Sequence, residues 1–281
     1  MTKAPVSAPP AGRVKSLHTA LAVLSEFLGS QLELGVAELV EKTGMPKGQI
    51  SKILATYRDN GFLHQDPKTR RYSVGLRTFL LGSRFASFDR LIRHALPVMR
   101  ALSEKTGHSV RLSVMDQDKV AYLIGLEGRA LIDSGWRAGA YLPLHSTSAG
   151  RVVLAFMDPA RAEQLIAGLA MESYTPSTVT DRKKLRAIIA GIRHSGHSAQ
   201  RGETNAGLAT VAVPLFGDNQ AILGVLGFAY PVQDVPEKDE PALAAMLHKA
   251  AQSISQRMGC VVYPFGRERA PAPARRAGAG Q

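Results

Sequence analysis

One cysteine, Cys260, is all that 281 residues contain. A lone cysteine closes no internal disulfide and builds no cysteine-rich zinc site, so a reducing, cytoplasmic setting is expected. No apolar run approaches the ~20 residues that cross a bilayer, which argues against a membrane protein. The opening fifteen residues, MTKAPVSAPPAGRVK, lack the apolar stretch of a signal peptide. The eight histidines are scattered, and His194 and His197 have no further ligand nearby, so neither a metal nor a cofactor is expected. Glycine runs such as GVLG lack phosphate-binding spacing. A last shortage is local: between Gly44 and Arg58 there is no Asp or Glu.

Hydrophobic residues make up 45% of the chain, enough to bury a core, and the length suits two domains. The net charge of +12 is uneven. Residues 1–100 hold 15 basic and 7 acidic side chains, residues 101–263 hold 16 and 15, and residues 264–281 hold 4 and 1. A basic front on a nearly neutral body points to an anionic polymer at the front, with plain solubility as the alternative.

Residues 1–12, rich in Pro and Ala, and a basic tail over 263–281 are expected to be disordered. SLHTALAVLSEFLG has helical spacing, with Ser16 as the expected N-cap. GVAELVEKTG places Val36, Leu39 and Val40 on one face and stops at Gly44. GMPKGQISKILATYRDNGFL follows, with Ile50, Ile53, Leu54 and Tyr57 as an apolar stripe and Asn60-Gly61 as the stop. FLH and RRYSV read as short strands around the turn QDPKT. Three helices and a hairpin in about sixty residues outline a winged helix-turn-helix over 13–75. Residues 76–104 read as a helical linker that also dimerises, interrupted at Gly82 and Pro97. Beyond it, SVRLSVM with KVAYLIGL and LATVAVPLF with AILGVLGFAY read as two hairpins. Helices are expected over 149–157, 159–169, 181–194 and 237–259, giving an α/β sensor-type domain over 105–262.

The third helix answers what the missing acids are for. Opposite its apolar stripe lie Gly48, Ser51, Lys52, Ala55 and Thr56, with Gln49 at the flank and Lys47 at the start. Small residues permit close approach, Lys52 reaches a phosphate or guanine, and Gln49 can contact adenine at two points. A carboxylate there would repel phosphates. The hairpin adds Lys68, Arg70, Arg71 and Tyr72, suited to phosphate or minor-groove contact. Each segment alone is equally an ordinary amphipathic helix or a solvated basic turn; together, in this order, they indicate double-stranded DNA.

From about Ser16 to Gly259 the chain resembles the IclR family of transcriptional regulators. The likeness rests on SLHTALAVL, ELVEKTGMPKGQISKILATYRDNGFL, RRYSVGL, LPLHSTSAGRVVLAF, RGETNAGLATVAVPLF and the closing helix to SQRMG. It implies an α+β protein: an N-terminal winged helix-turn-helix, a helical linker and a C-terminal GAF-like α/β effector-binding domain. It also implies a homodimer or homotetramer on a palindromic operator, a small-molecule effector, and control of catabolic genes. The family usually has Ser-Thr where Gly48-Gln49 stand, arginine where Lys52 stands, and arginine where Thr19 stands, so the operator sequence does not transfer.

LPLHSTSAG enters a helix near Ala149, where Ser146, Thr147, Ser148 and free amides could hold a carboxylate; simple N-capping is the alternative. The resemblance places this loop beside the effector pocket. In relatives that bind small oxo-acids four polar side chains line that pocket, and the corresponding positions here are Gln200, Thr210, Gly227 and Ala229. The pocket is therefore expected to be roomier and less polar, suited to a larger carboxylate or lactone, aromatic or not. Glu203 is an effector-site candidate with a loop-anchoring role as its alternative. Trp136, in DSGWRAGAYL, is a candidate for a flap or a subunit contact. A serine hydrolase is disfavoured: STSAG lacks the first glycine of G-x-S-x-G, and His145 is misplaced for a base. A non-specific architectural DNA protein fits poorly with the neutral second domain.

Overall fold

The computed structural model describes residues 12, 14–29, 31–130 and 138–266. The N-terminal region contains helices α1 (Lys15–Ser25), α2 (Val36–Thr43) and α3 (Lys47–Asp59), then strands β1 (Leu63–Gln65) and β2 (Tyr72–Val74). Ser16 lies inside α1, not at its cap: Val14 occupies that position. Gly44 closes α2 in the left-handed conformation, where a Cβ would be strained. The wing is an antiparallel hairpin with Leu63 opposite Val74, and Tyr72 also bridges back to Leu34. Val23, Leu34, Leu39, Ile50, Leu54, Leu63 and Tyr72 form this region's core.

Two helices follow, α4 (Leu76–Phe88) and α5 (Arg90–Thr106). The break falls at Asp89, not at Gly82 or Pro97. Asp89 is extended, and its carboxylate accepts the Ile92 amide at 2.9 Å to start α5. Gly82 and Pro97 both lie within intact helices. The two helices differ in environment. α5 buries Leu91, Ile92, Ala95 and Met99, whereas α4 buries nothing among the described residues.

The C-terminal region is a six-stranded antiparallel sheet: β3 (Ser109–Asp116), β4 (Lys119–Leu126), β5 (Tyr141–Leu142), β6 (Ser198–Arg201), β7 (Leu208–Phe216) and β8 (Ile222–Pro231), in the order β5-β4-β3-β8-β7-β6. Both expected hairpins are present, and β5 and β6 extend the sheet at its edges. Helices α6 (Ser148–Phe156), α7 (Pro159–Gly168) and α8 (Arg182–Ser195) cover one face. α5 and α9 (Glu240–Arg257) cover the other. Strand alternation divides the side chains: Val110, Leu112, Leu226 and Phe228 face α5 and α9, while Ala212 and Val225 face α6 to α8. Tyr263, expected in a disordered tail, is instead buried in the core, its hydroxyl donating to Pro214 O at 3.0 Å. No helix among the described residues is long and apolar enough to cross a membrane.

Candidate DNA-reading face and effector cavity

α3 starts at Lys47 behind Pro46, with no side-chain cap and no acid in its first turn. Ile50 and Leu54 are buried, and Lys47, Gly48, Gln49, Lys52 and Thr56 are exposed. Ser51 is half-buried. The Thr56 hydroxyl donates to Lys52 O at 2.9 Å, so its proton is engaged within the helix. A Cβ at Gly48 would meet nothing within 4 Å.

The wing turn is held by Asp66, whose carboxylate accepts the Lys68 and Thr69 amides at 2.7 Å each. Those backbone bonds, Thr69 first, hold its pKa below the ordinary carboxylate value. Lys68 and Arg70 project from the turn, exposed, with Arg70 at φ 59°. Gln65 links helix to wing, accepting from Arg58 Nη1 and donating to Arg70 O, both at 3.1 Å.

Two expected wing contacts are corrected by the fold. Tyr72 is 5% exposed and belongs to the core, so its ring is not offered to DNA. Arg71 turns back to α2: its Nη2 donates to Glu38 Oε2 at 2.8 Å and to Glu33 O at 2.9 Å. Glu38 also accepts the Gly35 amide at 2.6 Å; this bond first, then Arg71, lowers its pKa. Arg71 therefore ties the wing to the helices. A strand of three residues presents too few alternations for sequence pattern to reveal which side faces inward.

On the α6 side of the sheet lies a small cavity of about 60 Å³. Of the expected effector residues, Thr147, Ser148, Gln200, Thr210 and Gly227 line it. Their polar atoms form a network. Ser148 Oγ donates to Thr210 O at 3.0 Å and lies 2.5 Å from Thr210 Oγ1. Gln200 donates to Thr210 Oγ1 at 3.1 Å, and its carbonyl accepts the Glu203 amide at 3.0 Å. Thr147 is the N-cap of α6: it accepts the Gly150 amide at 3.0 Å and donates to Pro143 O at 2.6 Å. The cap leaves the Ser148 and Ala149 amides without an intrahelical partner.

Three expected residues do not line this cavity. Ser146 is fully buried, its hydroxyl without a hydrogen-bond partner among the described residues. Ala229 is fully buried and borders a separate depression with His108 and Ser109. Glu203 points at Arg151, with two N–H···O bonds of 2.6 Å, and also accepts the Val179 amide at 3.0 Å. Its oxygens serve structure. Gly227, expected to widen the pocket, is also required by packing: a Cβ there would come within 2.9 Å of Val211 O. Trp136 lies outside the described residues.

Arg111 on β3 is a cavity-lining residue that sequence pattern did not reveal. Its guanidinium carbon sits 5.2 Å from the Tyr122 ring centroid. Burial pushes the Tyr122 pKa up, and Arg111 opposes that shift. The available signal was a lone cation within the alternating strand SVRLSVM. Among the described residues no cluster of three or more potential metal ligands occurs.

Comparison with known proteins gives consistent matches. The family described as bacterial transcriptional regulator IclR C-terminal matches residues 85–256, and the IclR helix-turn-helix domain matches 16–67. The HTH-type transcriptional regulator KdgR of Escherichia coli K12 is 31% identical over 240 residues, covering 85% of this chain and 91% of its own. The transcriptional repressor IclR of the same organism is 26% identical over 255 residues, covering 90% and 93%. Among solved structures, a putative IclR transcriptional regulator from Silicibacter sp. TM1040 superposes with TM-score 0.75 at 28% identity, covering 87% of this chain and 96% of that one. An IclR transcriptional regulator from Alicyclobacillus acidocaldarius also gives 0.75, at 26% identity, covering 88% and 100%. These relatives are transcriptional regulators, not enzymes. With both family regions matched in order around a helix-turn-helix and a curled antiparallel sheet, the chain belongs to the IclR family of bacterial transcriptional regulators.

Proposed function

We propose that this regulator reads a palindromic operator with α3 in the major groove, and that a small organic carboxylate in the sheet cavity shifts its operator affinity. The observation that carries the reading is the exposed, acid-free face of α3 beside the cationic turn of Lys68 and Arg70. Lys47, Gln49, Ser51 and Lys52 supply donors toward bases and phosphates, and the wing supplies phosphate contact. Relatives named acetate operon repressor and glycerol operon regulatory protein support control of catabolic genes as the output.

Pairing of two copies is supported by α4. Leu76, Phe79, Leu80, Leu81, Phe85 and Phe88 are between 51% and 72% exposed. An apolar helix left bare at that level marks an interaction surface. A second copy, bringing the same helix, covers it and sets two recognition helices on half-sites a helical turn or its multiple apart. The dimerising segment is thereby narrowed from 76–104 to α4, because α5 is occupied by the sheet.

The test is selection of bound fragments from genomic DNA by the purified protein, followed by footprinting with and without aromatic carboxylates. The expected result is protection of two symmetric half-sites and a ligand-dependent change in affinity. By linkage, operator DNA must change carboxylate affinity by the same factor. Equal binding to every duplex would indicate an architectural protein and defeat the proposal.

A further inference from the structure

We propose that the outer face of the α5–α9 layer is a second DNA-binding surface, taking the phosphate backbone of duplex that flanks the sequence read by α3. This rests on the reading of α3 as the operator contact, and adds to it a surface that supplies affinity without sequence choice.

Much of the chain's positive charge lies outside the helix-turn-helix. Residues 76–106 hold six basic and two acidic side chains, whereas the longer stretch 13–75 holds nine and six. On α5, Leu91, Ile92, Ala95 and Met99 are buried against the sheet, which leaves Arg90, Arg93 and Arg100 exposed on the opposite side. At 3.6 residues per turn these three fall within about 80° of arc and about 15 Å of helix. The two acids do not neutralise them. Asp89 is spent on the Ile92 amide, and Glu104 forms no ion pair among the described residues.

α9 adds to the same face. Leu91 lies against Gly224, and Ser255 Oγ accepts the Phe216 amide at 3.0 Å; both contacts sit at the β7–β8 turn. At the far end of β8, the Tyr230 hydroxyl donates to Glu240, the first residue of α9. The two helices therefore run antiparallel over the sheet, and α9 brings exposed Lys249 and Arg257 alongside the start of α5.

The opposite layer differs. Every arginine on α6, α7 and α8 is engaged: Arg151 with Glu203, Arg161 with Asp118, Arg186 with Glu163, and Arg182 and Arg193 with backbone carbonyls. The side chains of Arg90, Arg93, Arg100 and Arg257 have no hydrogen-bonded or ionic partner among the described residues. A row of free guanidinium groups fits a polyanion, and a duplex supplies about one charge per 1.7 Å of axis. Position selects DNA over an acidic protein. α4 is tied to the helix-turn-helix by the Arg77 amide on Gly61 O at 3.1 Å and Thr78 Oγ1 on Phe62 O at 2.8 Å. Its 13 residues set the start of α5 about 20 Å away. A duplex held by α3 meets α5 as an intramolecular partner, at high effective concentration.

The experiment uses the full chain and an operator fragment recovered by genomic selection. The fragment is trimmed to its footprint, or extended by about 20 base pairs on each side, further than the roughly 45 Å that α4 and α5 span together. Fluorescence anisotropy gives the affinity across a salt series. The wild type is expected to hold the extended duplex about tenfold tighter, with a salt slope steeper by roughly 0.9 for each added phosphate contact. Arg90→Gln with Arg93→Gln and Arg100→Gln should abolish both gains and bind the trimmed duplex as the wild type does. Lys249→Gln with Arg257→Gln should remove part of the gains, and this pair decides if the triple variant fails to fold. If Lys52→Ala binds the trimmed duplex normally, the reading of α3 falls, while a flank gain still supports this surface. Equal affinity and slope for the two duplexes, as an acidic protein partner or a merely solvated face would give, overturns the proposal. So does a triple variant that keeps the flank gain, or one that loses trimmed and extended duplexes alike.

Discussion

Replacing Glu203 by Leu should destabilise the C-terminal region by about 3–5 kcal/mol, because it strands a buried charge. Arg151 and Glu203 have side chains 2% and 9% exposed and share two parallel bonds of 2.6 Å. Arg151 Nε also donates to His145 O at 2.7 Å, and Thr178 Oγ1 donates to Glu203 O at 2.6 Å. The pair therefore joins α6, the loop before it, the segment near Thr178 and the turn after β6. Its attraction in a dry interior is offset by the desolvation of both ions, so removing both together is far milder than removing one. Arg151→Met with Glu203→Leu should cost clearly less than the two single variants added together, its remaining loss coming from the Val179 amide and the His145 carbonyl left without their partners. Urea unfolding of the four proteins gives the coupling energy, expected to exceed about 2 kcal/mol. Additive single effects would refute the view that the two ions act as one desolvated unit.

Gly48→Ala should act with opposite signs on folding and on DNA binding. Its Cβ enters open space in the first turn of a helix, so stability rises by less than the roughly 0.5–1 kcal/mol of a mid-helix position, while operator binding weakens because the added methyl opposes close approach. Thermal melting and gel shifts on one preparation decide; operator binding that is unchanged or tighter removes the explanation. Lys52→Ala should blur one or two operator positions, whereas Lys68→Ala with Arg70→Ala should weaken all duplexes and flatten the salt dependence by roughly one unit for each phosphate left unneutralised. His248 is buried beneath Tyr263, and burial first, then His197, pushes its pKa down to about 4 from 6.5. The unfolded chain takes up that proton between those values and the folded one does not, so stability is full above pH 6.5 and declines as pH falls toward 4. His248→Leu should flatten that decline, read as urea midpoints at pH 7 and pH 5; an unchanged slope would rule it out as the group responsible.

The sequence by itself determined what neighbouring residues can encode. The apolar stripe of Ile50, Ile53, Leu54 and Tyr57 fixed α3 and its outward face. Asp66-Pro67 fixed the wing turn, and the two long hairpins were written in their own alternation. The family followed from short blocks in order. Tertiary structure decided what depends on distant partners. Tyr72 turns inward because Leu34 meets it, and Arg71 turns back to α2 because Glu38 waits 33 positions earlier. β6 escaped notice because Ser198 and Gln200 are polar, and Gln200 is buried on hydrogen bonds from elsewhere. Ala229 and Gly227 share a strand face yet border different hollows, since only packing above the sheet divides that face. Arg111 was recognisable as a cavity-lining residue only once Tyr122 came alongside it. Periodicity is a property of adjacent residues, whereas a side chain's partner and its exposure to a cavity arise from surfaces that meet only after folding.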